Sequence, residues 1–255
     1  MKELVTQLPQ YDYIYLGDNA RSPYGNRSFE TVTHYTQQCV QALFDKGCNL
    51  VILACNTASA KALRSIQQNY LPVVAPNRRV LGVIRPTTEI LGNYTQTGHV
   101  GILGTAGTVA SQSYPIEIEK FFPEIKVFQQ ACPMWVPLVE NNEYLGEGAD
   151  YFIKKYLDDL LAQSADIDTI VLGCTHYPLL LDKIKEYLPA HIKIISQSEI
   201  VAAGLKDYLN RHPEMGKNCT KNGLRAFYTS DDPSAFDGVA TLFFKSLVKS
   251  THLEV

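Results

Sequence analysis

The chain has 255 residues, enough to bury a sizeable core as one large domain or two small ones. Apolar residues make up 45% and charged residues 19%, which excludes a disordered or fibrous chain. A net charge of -3, with no basic stripe interleaved with aromatics, argues against a nucleic-acid partner. The longest apolar runs, Leu50 to Cys55 and Ile167 to Cys174, are too short to span a bilayer. The opening MKELVTQLPQ lacks the apolar core of a signal peptide, so the reading is a cytoplasmic protein with no membrane partner.

Tyr11 to Leu16 reads as a strand, followed by a loop from Gly17 to Gly25. A helix is expected from an N-cap at Ser28 to a C-terminal signal at Lys46-Gly47, with Val32, Thr36, Cys39, Val40 and Leu43 on its core face. Leu50 to Cys55 is a continuous apolar run of the kind found in a strand buried on both faces. Asn56 and Thr57 are capping types that open a helix reaching Tyr70. Val80 to Ile84 reads as a strand stopped by Pro86, and His99 to Leu103 as a strand entering the turn Gly104 to Thr108 and a further helix. After an irregular stretch around Pro133 to Pro137 come a helix over 147–162 and a strand over Thr169 to Gly173. Cys174 to Pro178 is a turn into the next helix, with Pro178 at a first-turn position. Ile192 to Ile195 is a last strand, and His212 to Asn222 a polar loop. Strands alternating with helices predict an α/β protein with parallel sheet. The expectation is two such domains, pseudo-symmetric, with the active site in the cleft between them. The boundaries expected are 1–83 plus 196–255 for the domain carrying Cys55, and 84–195 for the domain carrying Cys174.

Six cysteines, Cys39, Cys48, Cys55, Cys132, Cys174 and Cys219, form no C-x-x-C pair and stand at no metal-finger spacing, so no metal site is expected. Each is a buried small hydrophobe or a reactive thiol. Two of them sit in matching contexts. Val51-Ile52-Leu53-Ala54-Cys55-Asn56-Thr57 and Ile170-Val171-Leu172-Gly173-Cys174-Thr175-His176 are each a buried strand, a small residue, a cysteine and hydrogen-bonding residues leading into a helix. Ligands of open parallel sheets bind beyond the carboxyl ends of strands, and a helix N-terminus lowers a thiol pKa from about 8.5. One thiol on each side of a substrate suits inversion of a stereocentre, which needs a base on one face and an acid on the other. The competing reading is two core cysteines at strand ends. Polar neighbours are poor core material and weigh against it.

Several motifs resemble those of the glutamate racemases, within the aspartate/glutamate racemase family. They are Gly17-Asp18 with Pro23-Tyr24-Gly25, Ala54-Cys55-Asn56-Thr57-Ala58, Gly173-Cys174-Thr175-His176-Tyr177-Pro178, Val136 to Glu140, and Phe227 to Asp231. The resemblance implies interconversion of L- and D-glutamate without cofactor or metal, supplying D-glutamate for peptidoglycan, by a homodimer. It implies that Cys174 abstracts the α-proton of L-glutamate and Cys55 serves the D-isomer. Tyr24, Gly25, Asn56, Thr57, Thr175 and His176 would bind substrate, with His176 also assisting Cys174.

Family members begin with a strand ending in an Asp-Ser-Gly-x-Gly-Gly turn, whereas this chain opens inside the following helix. On that ground weak or absent racemase activity is expected of the 255-residue form. The alternatives are a racemase for aspartate or another amino acid, and a non-catalytic relative acting as a binding module. Gly101-x-x-Gly104-x-x-Gly107 is neither a dinucleotide fingerprint nor a P-loop, leaving a carboxylate contact at Thr105 and Thr108 or a plain turn. Glu140 is read as a solvated surface residue ahead of a supporting role in the site, and Trp135 as packing.

Overall fold

A computed structural model describes all 255 residues, Met1 to Val255. The chain divides into two compact units, one of Met1–Leu53, Ala62–Leu81 and Ser198–Val255, the other of Ala54–Lys61 and Gly82–Gln197.

In the first unit, helix α1 (Lys2–Gln7) precedes strand β1 (Tyr13–Gly17) and helix α2 (Phe29–Asp45). Ser28 caps α2, its hydroxyl accepting from the Thr31 N–H at 3.1 Å and satisfying one of the orphan donors of the first turn. Gly47 follows the helix at φ +85°, a left-handed conformation that glycine adopts without steric cost. Val32, Thr36, Val40 and Phe44 form the buried face. Cys39 lies beside that face and not in it: it is half-buried, and its sulfur accepts from Arg21 Nη2 at 3.4 Å. One residue of helix turns the side chain by ~100°, so Val40 points inward where Cys39 points to the margin.

Strand β2 (Leu50–Leu53) pairs with β3 (Arg79–Gly82). The helix expected as far as Tyr70 is interrupted. It runs as α3 (Asn56–Lys61), a short turn α4 (Leu63–Ser65), a π-helical turn Ile66–Tyr70 and α5 (Leu71–Val74). Pro72 has no N–H to give to a helix interior and is accommodated in the first turn of α5. Ala62, Ile66 and Leu71 nevertheless keep one side, packing with Val40, Phe44, Val51, Leu53 and Val80.

Strand β8 (Arg225–Thr229) lies between β1 and β9 (Ser250–His252), all parallel, with Gly17 opposite Thr229. Helix α12 (Gln197–Arg211) brings Leu205 and Leu209 against Leu8 and Met215. Met215 belongs to a helix, α13 (Pro213–Asn218), in the stretch expected to be a polar loop. Pro213 starts that helix and the buried Met215 anchors it, a tertiary contact that polarity alone does not reveal. Asp232 caps α14 (Pro233–Phe244), and Phe236 of that helix stacks on Tyr15 at 5.8 Å between ring centres.

The second unit holds a four-stranded parallel sheet in the order β5 (Lys126–Ala131), β4 (His99–Gly104), β6 (Thr169–Gly173), β7 (Lys193–Ile195). Every residue of β6 is buried, as its unbroken apolar run requires. The strand expected over 80–84 stops at Gly82, and Pro86 sits inside the first turn of α6 (Ile84–Thr88), where a missing N–H costs nothing. The stretch around Pro133 to Pro137, expected to be irregular, contains the start of α9 (Trp135–Glu140), with Pro137 again in a first turn. Helices α7 (Ala106–Ala110), α8 (Ser113–Phe121), α10 (Glu147–Leu161) and α11 (Leu181–Tyr187) complete the unit. Ile153, Leu157 and Leu160 of α10 share one core cluster with Leu103, Ile170, Leu172 and Ile184, each fully buried side chain contributing ~1.5–3 kcal/mol. Gly101 belongs to that packing, since a Cβ there would lie 2.7 Å from Leu160 Cδ2. Trp135 is fully buried, edge-on to Tyr177 at 4.8 Å, and donates from Nε1 to Phe152 O at 3.3 Å.

The register decides what happens at the sheet's carboxyl edge. Gly104 stands opposite both Ala131 and Gly173, so three strands end level. The next residues, Thr105, Cys132 and Cys174, therefore leave the sheet side by side.

Candidate active site

Cys174 follows β6 directly and is 8% exposed. Its sulfur lies 3.8 Å from His176 Nδ1, and the other ring nitrogen, Nε2, lies 3.3 Å from Glu140 Oε1 at the end of α9. A neutral imidazole donating from Nε2 to Glu140 leaves Nδ1 as an acceptor beside the thiol. Burial pushes the Cys174 thiol up to about 12, against the backbone N–H groups of His176 and Thr175, which favour the thiolate. Negative charge at Cys55 and Glu140 pushes it the same way as burial. Both thiols belong to the same unit. Thr175 is exposed and His176 half-buried.

Cys55 stands two residues beyond β2 at the head of α3, and its carbonyl accepts from Ser59 N at 2.9 Å. It is exposed to solvent on one side. The protein around its sulfur raises the thiol pKa, while the N–H groups of Ala58 and Thr57 and the Thr57 hydroxyl lower it. Each cysteine therefore has helix-turn N–H groups aimed at its sulfur, which a thiolate needs and a packed hydrophobe does not.

The residues after Cys55 are buried and committed. Thr57 Oγ1 lies 2.9 Å from Thr105 Oγ1 and 3.3 Å from Thr108 Oγ1, and Thr105 and Thr108 are 3.1 Å apart. Thr105 also caps α7, accepting from Thr108 N at 3.2 Å. The glycine-bearing turn is therefore joined to the Cys55 segment by hydroxyls. Asn56 donates from Nδ2 to Gln197 Oε1 at 2.7 Å and accepts at Oδ1 from Tyr114 OH at 2.8 Å.

Tyr24 and Gly25 belong to the other unit. The Tyr24 hydroxyl donates to Asp18, which also accepts from Arg21 Nε at 2.9 Å and from Ser230 Oγ at 2.8 Å. Burial first, then the bond to Asp18, pushes the Tyr24 hydroxyl far above its usual range. Gly25 is half-buried in the turn that follows. No three His, Cys, Asp or Glu side chains gather as metal ligands, and no helix is long and apolar enough to cross a membrane.

The model of the Asp/Glu/Hydantoin racemase family matches residues 1–203. A glutamate racemase of Persephonella marina is 37% identical over 257 residues, spanning 100% of this chain and 92% of that protein. The chain belongs to this racemase family. Among solved structures it is similar to a glutamate racemase isoform of Bacillus anthracis, with TM-score 0.89 and 31% identity over 99% of this chain and 91% of that one. It is also similar to the glutamate racemase of Francisella tularensis in complex with D-glutamate, with TM-score 0.84 and 31% identity over 100% of this chain and 90% of that one. The racemase relatives match the chain across its whole length, so fold and family rest on more than the cysteine motifs.

Three residues around these cysteines escape sequence reasoning. Glu140 reads as surface from its polar neighbours, yet it closes on His176. Tyr114 and Gln197 carry no motif, and their partner Asn56 is 58 and 141 residues away. No periodicity or capping pattern around either of them points to that partner.

Proposed function

We propose that this chain interconverts L- and D-glutamate by two-base proton transfer between Cys174 and Cys55. The observation that carries the reading is that Cys55 and Cys174 each follow a strand into a turn whose N–H groups favour the thiolate, in a chain similar over its whole length to glutamate racemases. From L-glutamate, the Cys174 thiolate takes the α-proton and becomes a thiol. The electron pair stays on the substrate as a carbanion, and the Cys55 thiol returns a proton to the opposite face. No atom is gained or lost, and the two sulfurs have exchanged protonation states. From D-glutamate the steps run in reverse.

The thiolate is reached through its neighbours. His176 Nδ1 accepts the proton of Cys174, and Glu140 at Nε2 stabilises the imidazolium so formed. A thiol held near 12 by burial is a strong base once ionised, which favours α-proton abstraction. Asn56, Thr57 and Thr175 are the substrate contacts in the unit that holds both thiols, and Thr105 and Thr108 extend the hydroxyl group around Thr57. By family resemblance the working form is a cytoplasmic homodimer that uses no cofactor, and its D-glutamate serves peptidoglycan synthesis.

The test is α-proton exchange in deuterated water with L-glutamate, D-glutamate and aspartate offered separately. Exchange with both glutamate isomers, abolished in Cys55→Ser and in Cys174→Ser but kept in Cys219→Ser, is the expected result. Racemisation surviving in either of the first two variants overturns the two-thiol mechanism, and exchange confined to aspartate overturns the substrate.

A further inference from the structure

A buried hydrogen-bond chain runs from the backbone at Val83 to the residue beside Cys55. Gln197 Nε2 shares its two N–H groups among three acceptors, Val83 O at 3.1 Å, Thr87 Oγ1 at 3.0 Å and Tyr114 OH at 2.9 Å. Its Oε1 accepts from Asn56 Nδ2 at 2.7 Å, and Asn56 Oδ1 accepts from Tyr114 OH at 2.8 Å. Asn56, Tyr114 and Gln197 are 2%, 0% and 9% exposed, so water does not compete for these bonds.

Amide ends are interchangeable in shape, and only partners decide which way they point. A backbone carbonyl cannot donate, so Val83 O requires the N–H₂ end of Gln197. The Oε1 end then faces Asn56 and requires its N–H₂ end. Oδ1 of Asn56 is turned to Tyr114, whose hydroxyl must donate to it and hence accepts from Gln197. The orientation of both amides is thereby fixed. One N–H of Asn56 Nδ2 lies outside these bonds and is a donor.

Tyr114 touches the other cysteine segment as well. A Cβ on Gly173, the residue before Cys174, would lie 3.3 Å from Tyr114 Cε2 and 3.4 Å from its hydroxyl. The same helix start adds Ser113 Oγ, which donates to Ala60 O in α3 at 3.1 Å.

We propose that Tyr114 and Gln197 are positioning residues for the racemisation, acting through Asn56: they fix which end of its amide faces the substrate and hold the segment that carries Cys55. The proposal rests on the racemase reading, but not on activity alone for its test.

A double-mutant cycle with Tyr114→Phe and Asn56→Ala decides it. The phenylalanine keeps the ring and removes only the hydroxyl. If Tyr114 acts through Asn56, Tyr114→Phe lowers kcat/KM for glutamate roughly tenfold in the otherwise native chain, and less than about twofold when Asn56 is already alanine. Equal losses in both backgrounds overturn the proposal, whatever the thermal unfolding midpoints do. The second readout is alkylation of Cys55 by iodoacetamide in ligand-free protein, resolved by peptide mass spectrometry. Its rate shifts with Tyr114→Phe and with Gln197→Met in the native background but not in Asn56→Ala. An unchanged rate in the native background overturns the proposal. If the native chain racemises no glutamate, the functional reading falls, and the alkylation cycle still decides the positioning.

Discussion

Glu140 Oε1 lies 3.3 Å from His176 Nε2, on the far side of the imidazole from the Cys174 sulfur. The ring therefore has a carboxylate behind it and a thiol in front. Glu140→Gln is expected to lower kcat by up to about 10²-fold, because the imidazolium formed on taking the thiol proton loses its counter-charge. The substitution also removes a negative charge that raises the Cys174 pKa, so direct repulsion at the thiol falls while its proton acceptor weakens. Steady-state kinetics beside an alkylation pH profile of Cys174 shows that split. A kcat left unchanged by Glu140→Gln would count against the role given to Glu140.

The coupling between the two thiols has its own sign. Charge at Cys55 opposes ionisation of Cys174, after burial has already raised it and despite the N–H groups of His176 and Thr175. Cys55→Ser is therefore expected to lower the Cys174 pKa from about 12 and move its alkylation profile to lower pH. A profile that stays in place would mean that the sulfurs do not sense each other.

The same change at two glycines is expected to have opposite effects. At Gly173 an added Cβ would lie 3.0 Å from Leu103 O and 3.3 Å from the Tyr114 ring, both fixed in the sheet and core. Gly173→Ala should cost about 1–3 kcal/mol of stability and displace the strand end that carries Cys174. At Gly148, in the first turn of α10, a Cβ meets nothing within 4 Å. Gly148→Ala should stabilise by about 0.5–1 kcal/mol. Urea unfolding midpoints measure both, and a shift of the same sign at the two positions would refute the packing account.

Acid stability should depend on Asp168. Its carboxylate accepts from Thr95 Oγ1 at 2.6 Å, Gln96 N at 2.6 Å and Thr97 N at 3.0 Å, pinning the approach to β4. Partial burial raises its pKa, but these bonds outweigh it and bring the value down to about 2 from 3.8. The folded value is depressed, so the stabilisation is fully present above pH 3.8 and is lost as pH falls toward 2. Asp168→Asn should cost about 1–3 kcal/mol at neutral pH, with the gap to the native chain closing over that window. A gap that stays constant down to pH 2 would rule out the carboxylate as its source.

Much of the fold is legible in the sequence because its signals are local. A buried parallel strand needs an unbroken apolar run, and Thr169 to Gly173 supplies one. Ser28 and Gly47 mark the ends of α2 through the backbone conformations their own positions require. The edge strand β5 is not legible: Lys126 to Ala131 carries two glutamines, and it is a strand because β4 pairs with it. α13 escapes for the same kind of reason, since Met215 is buried in a cluster that also draws in Leu8 and residues of β1, β2 and β3.

At the site the division is similar. Cysteine after a strand, followed by capping residues, is a pattern contained within seven residues, and it singles out Cys55 and Cys174 among the six cysteines. Which amide end Asn56 turns outward depends on Tyr114 and Gln197, 58 and 141 residues away. Chain chemistry by itself determines which groups can ionise, cap or break a helix, because those properties belong to single residues and their immediate neighbours. Hydrogen-bond polarity, counter-charge and close approach belong to pairs, and only the folded chain decides which pairs meet.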